Sequence, residues 1–208
     1  DTKQGWGINT EEALASSQRS ENNVACILDH YAQKTKRQVK YTYSVISNVE
    51  EVAKNHQAQE EKQKNQLGGF NSIFCVDSIP SAIKYYREFK KQQEDKPESQ
   101  RLRIATIFTY SANEAEDENG IPADEDPGDT SGLDATSKEF LDNAIKDYNA
   151  YFNTQYSTEG EKFQNYYKDL SLRMKNREVD MLIVVSMFLT GFDAKTLNTL
   201  WVDKNLKM

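Results

Sequence analysis

Cysteine, histidine and proline are scarce in this chain of 208 residues, and each shortage closes off a kind of chemistry. Cys26 and Cys75 stand far apart, which excludes a disulfide framework and points to a reducing, cytoplasmic setting. Two histidines leave little room for imidazole-based acid–base work, and no Cys/His pair is arranged for nucleophilic attack. No apolar run approaches the roughly 20 residues that span a bilayer, and no signal-peptide pattern is present, so no membrane partner is expected. A phosphate-cradling G-x-x-x-x-G-K-[ST] loop is also missing. With Asp1 as its first residue, the chain reads as a piece of a longer protein.

Hydrophobic residues make up 37% of the chain, low against a usual ~45–50%, so long polar stretches must accompany any core. The net charge of −7 arises largely in one place. Ser111 to Ala135 carries nine acidic residues and no Lys or Arg; without it, 26 basic residues face 24 acidic ones. An acidic average is therefore weak evidence against a nucleic-acid partner. Within this segment, "ADEDPGD" invites comparison with a calcium loop. The comparison fails, because Gly128 falls one place early and Ala135 stands where the ligating Glu belongs. A solvated insertion is the better reading, and no metal site is assigned.

Asp1 to Glu21 is polar and weakly patterned, and is expected to be extended or partly disordered. Val24, Ile27, Leu28 and Tyr31 then mark one face of a helix. Cys26 and His30 lie one turn apart on it. Zinc needs about four ligands, so a half-buried thiol and a surface imidazole are expected instead. "YTYSVIS" reads as a strand, and the following "NVEEVAKNHQAQEEKQKNQ" as a solvated helical insertion without an apolar face.

From Phe70 the pattern is regular. "FNSIFCV" is a buried strand, and "DSIPSAIKYYREFKKQ" a helix capped by Asp77 or Ser78, with Pro80 in its first turn. Its packing stripe is Ile79, Ile83, Tyr86 and Phe89. "LRIATIFTY" is the next strand, which makes a right-handed βαβ unit. After the acidic loop, Thr136 and Glu139 form a capping box for a helix whose inner face is Phe140, Leu141, Ala144, Ile145 and Tyr148. A second helix turns Phe163, Tyr167, Leu170 and Met174 inward. The strand "MLIVVSM", a Gly-Phe-Asp loop and the strand "LNTLWVDK" end the chain. The expected fold is α/β, a three-layer open and mainly parallel sheet with polar insertions.

Ligands of open α/β sheets gather at the carboxyl ends of the strands. Three loops qualify: Asp77-Ser78, Thr109 to Ser111, and Ser186 to Asp193. In the last, Gly191 permits close backbone approach and Asp193 could accept hydrogen bonds from a ribose hydroxyl. Ser186 and Thr190 are small donors suited to phosphate oxygens. A Gly-x-Asp turn is often only a turn.

"FNSIFCVDSIPSAIKYYREFK", "LRIATIFTY", "FQNYYKDLSLRMKNREVDMLIVVSMFLTGFDA" and "LNTLWVDKNL" closely resemble the second motor domain of the R (motor and endonuclease) subunits of type I restriction enzymes, which are superfamily 2 DNA translocases. The resemblance covers Phe70 to Met208. "ILDHYAQKTKR" is similar to the family's interdomain connection, so residues 1–69 are read as an N-terminal arm with an insertion and 70–208 as a RecA-like helicase domain. Lys195 departs from the Pro that commonly follows Gly-Phe-Asp-Ala. The resemblance implies ATP and Mg²⁺ held mainly by a first motor domain outside this chain, with Gly191 and Asp193 facing the nucleotide. It implies Ser78, Ser186 and Thr190 on the DNA side. It also implies double-stranded DNA and the methyltransferase (M) and specificity (S) subunits as partners. The arginine-finger motif of the family would follow Met208, and the chain alone is expected not to hydrolyse ATP. Two rival readings stand beside this: another superfamily 2 DNA motor, and a non-enzymatic α/β module that binds a protein through its acidic segment.

Overall fold

The computed structural model describes residues 17–55, 57–108, 132–185 and 194–204. Four parallel strands form its centre: β3 (Asn71–Val76), β4 (Ile104–Ile107), β5 (Met181–Val185) and β6 (Leu197–Asp203), in the spatial order β4-β5-β3-β6. Five helices accompany them: α1 (Ser17–Lys34), α2 (Val49–Lys54), α3 (Ile79–Gln93), α4 (Ala135–Phe152) and α5 (Gly160–Lys175). The result is a mixed α/β fold, a parallel sheet flanked by helices, as the order of buried runs and amphipathic segments predicts.

The burial of each strand follows its place in the sheet. Every residue of β3 and β5, the two inner strands, is buried, which suits the apolar runs 73–76 and 181–185. Fully burying one such Ile or Val side chain contributes about 1.5–3 kcal/mol. On the edge strand β6 half-buried and exposed residues alternate, and Leu200 and Val202 face outward. Helix α3 packs against α1, β5 and α4, with Phe74 set edge-on to Tyr85 and Phe89. In α5 Phe163 is buried as expected, but the second buried aromatic is Tyr166, whose hydroxyl donates to the Thr106 carbonyl at 2.9 Å, while the expected Tyr167 is only half-buried.

Four sequence expectations need correction. Helix α1 starts at Ser17, inside the stretch expected to be irregular: the Ser20 hydroxyl bonds back to the Ser17 carbonyl at 2.8 Å, and Arg19 pairs with Asp203. Cys26 is exposed rather than half-buried. The cap of α4 is Asp134, whose carboxylate accepts from the backbone of Thr136 and Ser137 at 3.0 Å each, so the helix begins before the supposed Thr136 box.

The fourth concerns residues 48–66. Only α2 is helical there; the chain then returns as β2 (Lys62–Gly68), antiparallel to β1 (Lys40–Ile46) in a separate two-stranded ribbon. Such a polar strand has no apolar face to betray it, and its pairing with β1 decides its conformation. The ribbon is fastened to the main body by Asn176 at the end of α5. Its amide donates to the Ile46 carbonyl at 2.7 Å and accepts from the Ile46 N–H at 2.8 Å.

Three described helices end with non-glycine residues in the left-handed region, Lys36 after α1 (φ 51°), Asn153 after α4 (φ 55°) and Arg177 after α5 (φ 66°). Lys36 and Arg177 each close the paired 6→1 and 5→2 bonds of a Schellman turn: Arg37 N–H to Ala32 and Lys36 to Gln33, then Glu178 to Arg173 and Arg177 to Met174.

Candidate functional site

The carboxyl edge of the sheet is formed by Val76, Ile107, Val185 and Asp203. Ser78 follows β3 in extended conformation (φ −152°, ψ 161°) and caps α3. Its hydroxyl accepts from the Ser81 N–H at 3.4 Å and lies 3.0 Å from both the Asp77 carboxylate and the Ser81 hydroxyl. Pro80 in the first turn needs no N–H partner, so this helix end is pre-shaped by its sequence. An N-terminus with its first amides turned outward favours negative charge at this edge. Ser78 is thus committed to the cap, and any phosphate contact would have to share its hydroxyl.

Asp203 closes the far side of the same edge. It accepts from Arg19 and from the Tyr85 hydroxyl, which also accepts from the Asn23 amide at 2.8 Å. Burial, and then the bond to Asp203, push the Tyr85 phenol up to about 12. This network pins α1 and α3 to the end of β6.

Ser186, Thr190, Gly191 and Asp193 lie outside the described residues, as does most of the acidic segment 111–135. Strand β5 ends at the carboxyl edge with Val185 and β6 begins at the amino edge with Leu197, because β3 pairs in parallel with both strands. Ala194 and Thr196 belong to the amino edge, where the Thr196 hydroxyl donates to the Met174 carbonyl at 3.0 Å.

Among the described residues no three His, Cys, Asp or Glu side chains are grouped to hold a metal ion. Cys26 and His30 do meet, with Sγ 3.7 Å from Nδ1, and remain a pair. No described helix is long and apolar enough to cross a membrane.

The opposite, amino edge holds residues that motif reading missed. Arg37, Arg101, Arg103 and Arg177 converge there from three separate segments, around Asp180. Asp180 accepts from Arg37 at 2.6 Å, from Arg177 at 2.8 Å and from the Arg103 backbone N–H at 2.8 Å. Only Arg177 and Asp180, three residues apart, could have been paired from the sequence.

A four-stranded parallel sheet flanked by helices is the architecture of a three-layer α/β domain, consistent with a RecA-like fold. The comparisons with known proteins make the assignment specific. A family model described as type I restriction enzyme subunit R domain 3 matches residues 68–208. A type I restriction enzyme endonuclease subunit of Staphylococcus aureus (strain COL) is 43% identical over 139 residues, 66% of this chain and 14% of that protein. One from Staphylococcus saprophyticus is 38% identical over 203 residues, covering 97% of this chain and 17% of the relative. A Mycoplasma pneumoniae subunit named as an N-terminal part shares 95% identity over 20 residues, 10% of this chain and 5% of that protein. The chain belongs to the type I restriction enzyme R subunit family. It spans about one sixth of the Staphylococcus relatives it matches.

Proposed function

We propose that this chain is the second motor domain of a restriction subunit that hydrolyses ATP to translocate double-stranded DNA and then cleaves it. The observation that carries this reading is the match to R-subunit domain 3 over 68–208, which includes the whole parallel sheet and the β5–β6 connection with its Thr190-Gly191-Phe192-Asp193. In this reading Gly191 and Asp193 face the nucleotide and Asp193 takes the ribose hydroxyls. Ser186, Thr190 and Ser78 lie toward the DNA backbone, where hydroxyl donors commonly meet phosphate oxygens. ATP and Mg²⁺ would be held mainly by a first motor domain, since phosphoryl transfer needs a P-loop Lys and metal-binding groups. The parent would work with methyltransferase and specificity subunits in the cytoplasm.

The test is made in the full-length R subunit that contains this segment. Asp193→Ala should lower DNA-stimulated ATP hydrolysis at least about tenfold, the effect of losing a hydrogen bond worth about 1.4 kcal/mol to the bound nucleotide. Duplex binding should be retained. The chain by itself should not turn over ATP. Unchanged hydrolysis in the variant would overturn the reading and favour a non-enzymatic α/β module, and motor-like turnover by the isolated chain would overturn the assignment of the ATP-hydrolysing groups to a first motor domain.

A further inference from the structure

The amino edge of the sheet carries a second feature that the motor reading does not use. A cleft of about 540 Å³ opens there, lined by Arg37, Arg101, Arg103 and Arg177, by the carboxylates Glu98 and Asp180, and by Gln66, Ser99 and Tyr151. It lies about 13 Å from the carboxyl edge, the length of a five-residue strand such as β5.

Four guanidinium groups face two carboxylates, so the cleft is electropositive. Asp180 already satisfies one fork each of Arg37 and Arg177. The side chain of Arg177 is only 7% exposed, yet its Nε is buried without a hydrogen-bond partner among the described residues. A buried guanidinium N–H left unmatched is costly and points to an acceptor. Arg101 is fixed by two carbonyls, donating from Nε to Lys96 at 2.7 Å and from Nη2 to Glu94 at 2.5 Å. Arg103 donates one N–H to the Glu178 carbonyl at 2.9 Å and lies over the Tyr151 ring, 5.1 Å from its centre. The side chains of Arg101 and Arg103 donate these bonds to backbone carbonyls rather than to carboxylates, so both keep their charge for a ligand.

Arg, Ser, Gln and Tyr side chains are the set that contacts nucleic-acid phosphates. Tyr151 is 46% exposed beside Arg103, so a flat apolar face adjoins the cationic cleft. An aromatic platform next to a positive groove is how bases of an unpaired strand are held. We infer that this cleft binds a phosphate of a single-stranded nucleic acid, with the guanidinium groups on the backbone and the neighbouring base stacked on Tyr151. A protein carboxylate fits less well, because Asp180 already occupies that place. The inference stands apart from the motor reading, because it uses none of the residues assigned there to nucleotide or duplex.

The test uses fluorescence anisotropy with the 208-residue chain and an oligothymidylate of about 20 nucleotides, against a duplex of equal length and inorganic pyrophosphate. Arg103→Gln, at an exposed position, should weaken oligothymidylate binding about tenfold and flatten the slope of log K against log salt by about 0.7. Tyr151→Leu should weaken the oligothymidylate and leave pyrophosphate unchanged. Equal binding by both variants and the unmodified chain would overturn the site, as would failure of the unmodified chain to bind either probe. Pyrophosphate binding with no gain from the oligonucleotide, or a preference for duplex, would overturn the single-strand assignment.

Discussion

Alkaline pH should unfold this protein abruptly, because four of its tyrosines cannot ionise in place. Tyr31, Tyr86, Tyr148 and Tyr166 are each at most 5% exposed, and each hydroxyl donates a hydrogen bond. The acceptors are the Asp180 carbonyl, the Asp147 carboxylate, the Asp169 carboxylate and the Thr106 carbonyl. A phenolate could not donate and would sit desolvated, in Tyr86 and Tyr148 directly against a carboxylate. Burial first, and then nearby aspartate charge, hold all four well above the ordinary phenol range.

The sign follows from linkage. The folded chain keeps these four protons above pH ~10, where the unfolded chain releases them, so their stabilisation is complete below pH ~10 and is lost above it. Each group costs about 1.4 kcal/mol per pH unit, so the four together remove about 5–6 kcal/mol by pH ~11. That is comparable to the roughly 5–15 kcal/mol of a typical domain. The share of the tyrosinate absorbance that belongs to these four should appear together with the loss of far-ultraviolet circular dichroism, in one steep transition near pH ~11. Tyr86→Phe removes one titrating proton and should make that transition shallower. Four phenols ionising singly near pH ~10, with the dichroism unchanged, would refute the argument.

Two backbone positions give further checks. Gly69 (φ +64°) turns the chain from the ribbon into β3, and a Cβ there would come within 2.7 Å of the Arg37 Cα and 3.0 Å of the Thr35 carbonyl. Gly69→Ala should therefore cost about 2–4 kcal/mol in chemical denaturation, and a loss under about 0.5 kcal/mol would contradict the tight approach. Lys36 occupies a left-handed cap position that glycine prefers, so Lys36→Gly should stabilise by about 0.5–1 kcal/mol and raise Tm by about 2 °C. A lowered Tm would mean that the Lys36 side chain contributes more than its backbone strain costs.

Much of the fold is legible in the residues themselves. Val24, Ile27 and Tyr31 at helical spacing are the buried side of α1, and Ser78 before Pro80 is the cap of α3. The apolar runs 73–76 of β3 and 181–185 of β5 announce strands covered on both faces. The resemblance over Phe70 to Met208 reaches the same family as the comparisons. Local sequence carries this information because propensity, capping and burial periodicity act over one or two turns of chain.

Tertiary contact decided the rest. Lys62 to Gln66 has the composition of a solvated helix and is a strand, because β1 offers it hydrogen-bond partners and Asn176 clasps that ribbon to α5. The order β4-β5-β3-β6 brings Arg37, Arg101, Arg103 and Arg177 around Asp180 from segments up to 143 residues apart. A lone arginine looks like any solvated surface charge in a sequence. What distinguishes Arg177 is the removal of water around it, and only the packing of distant elements removes water.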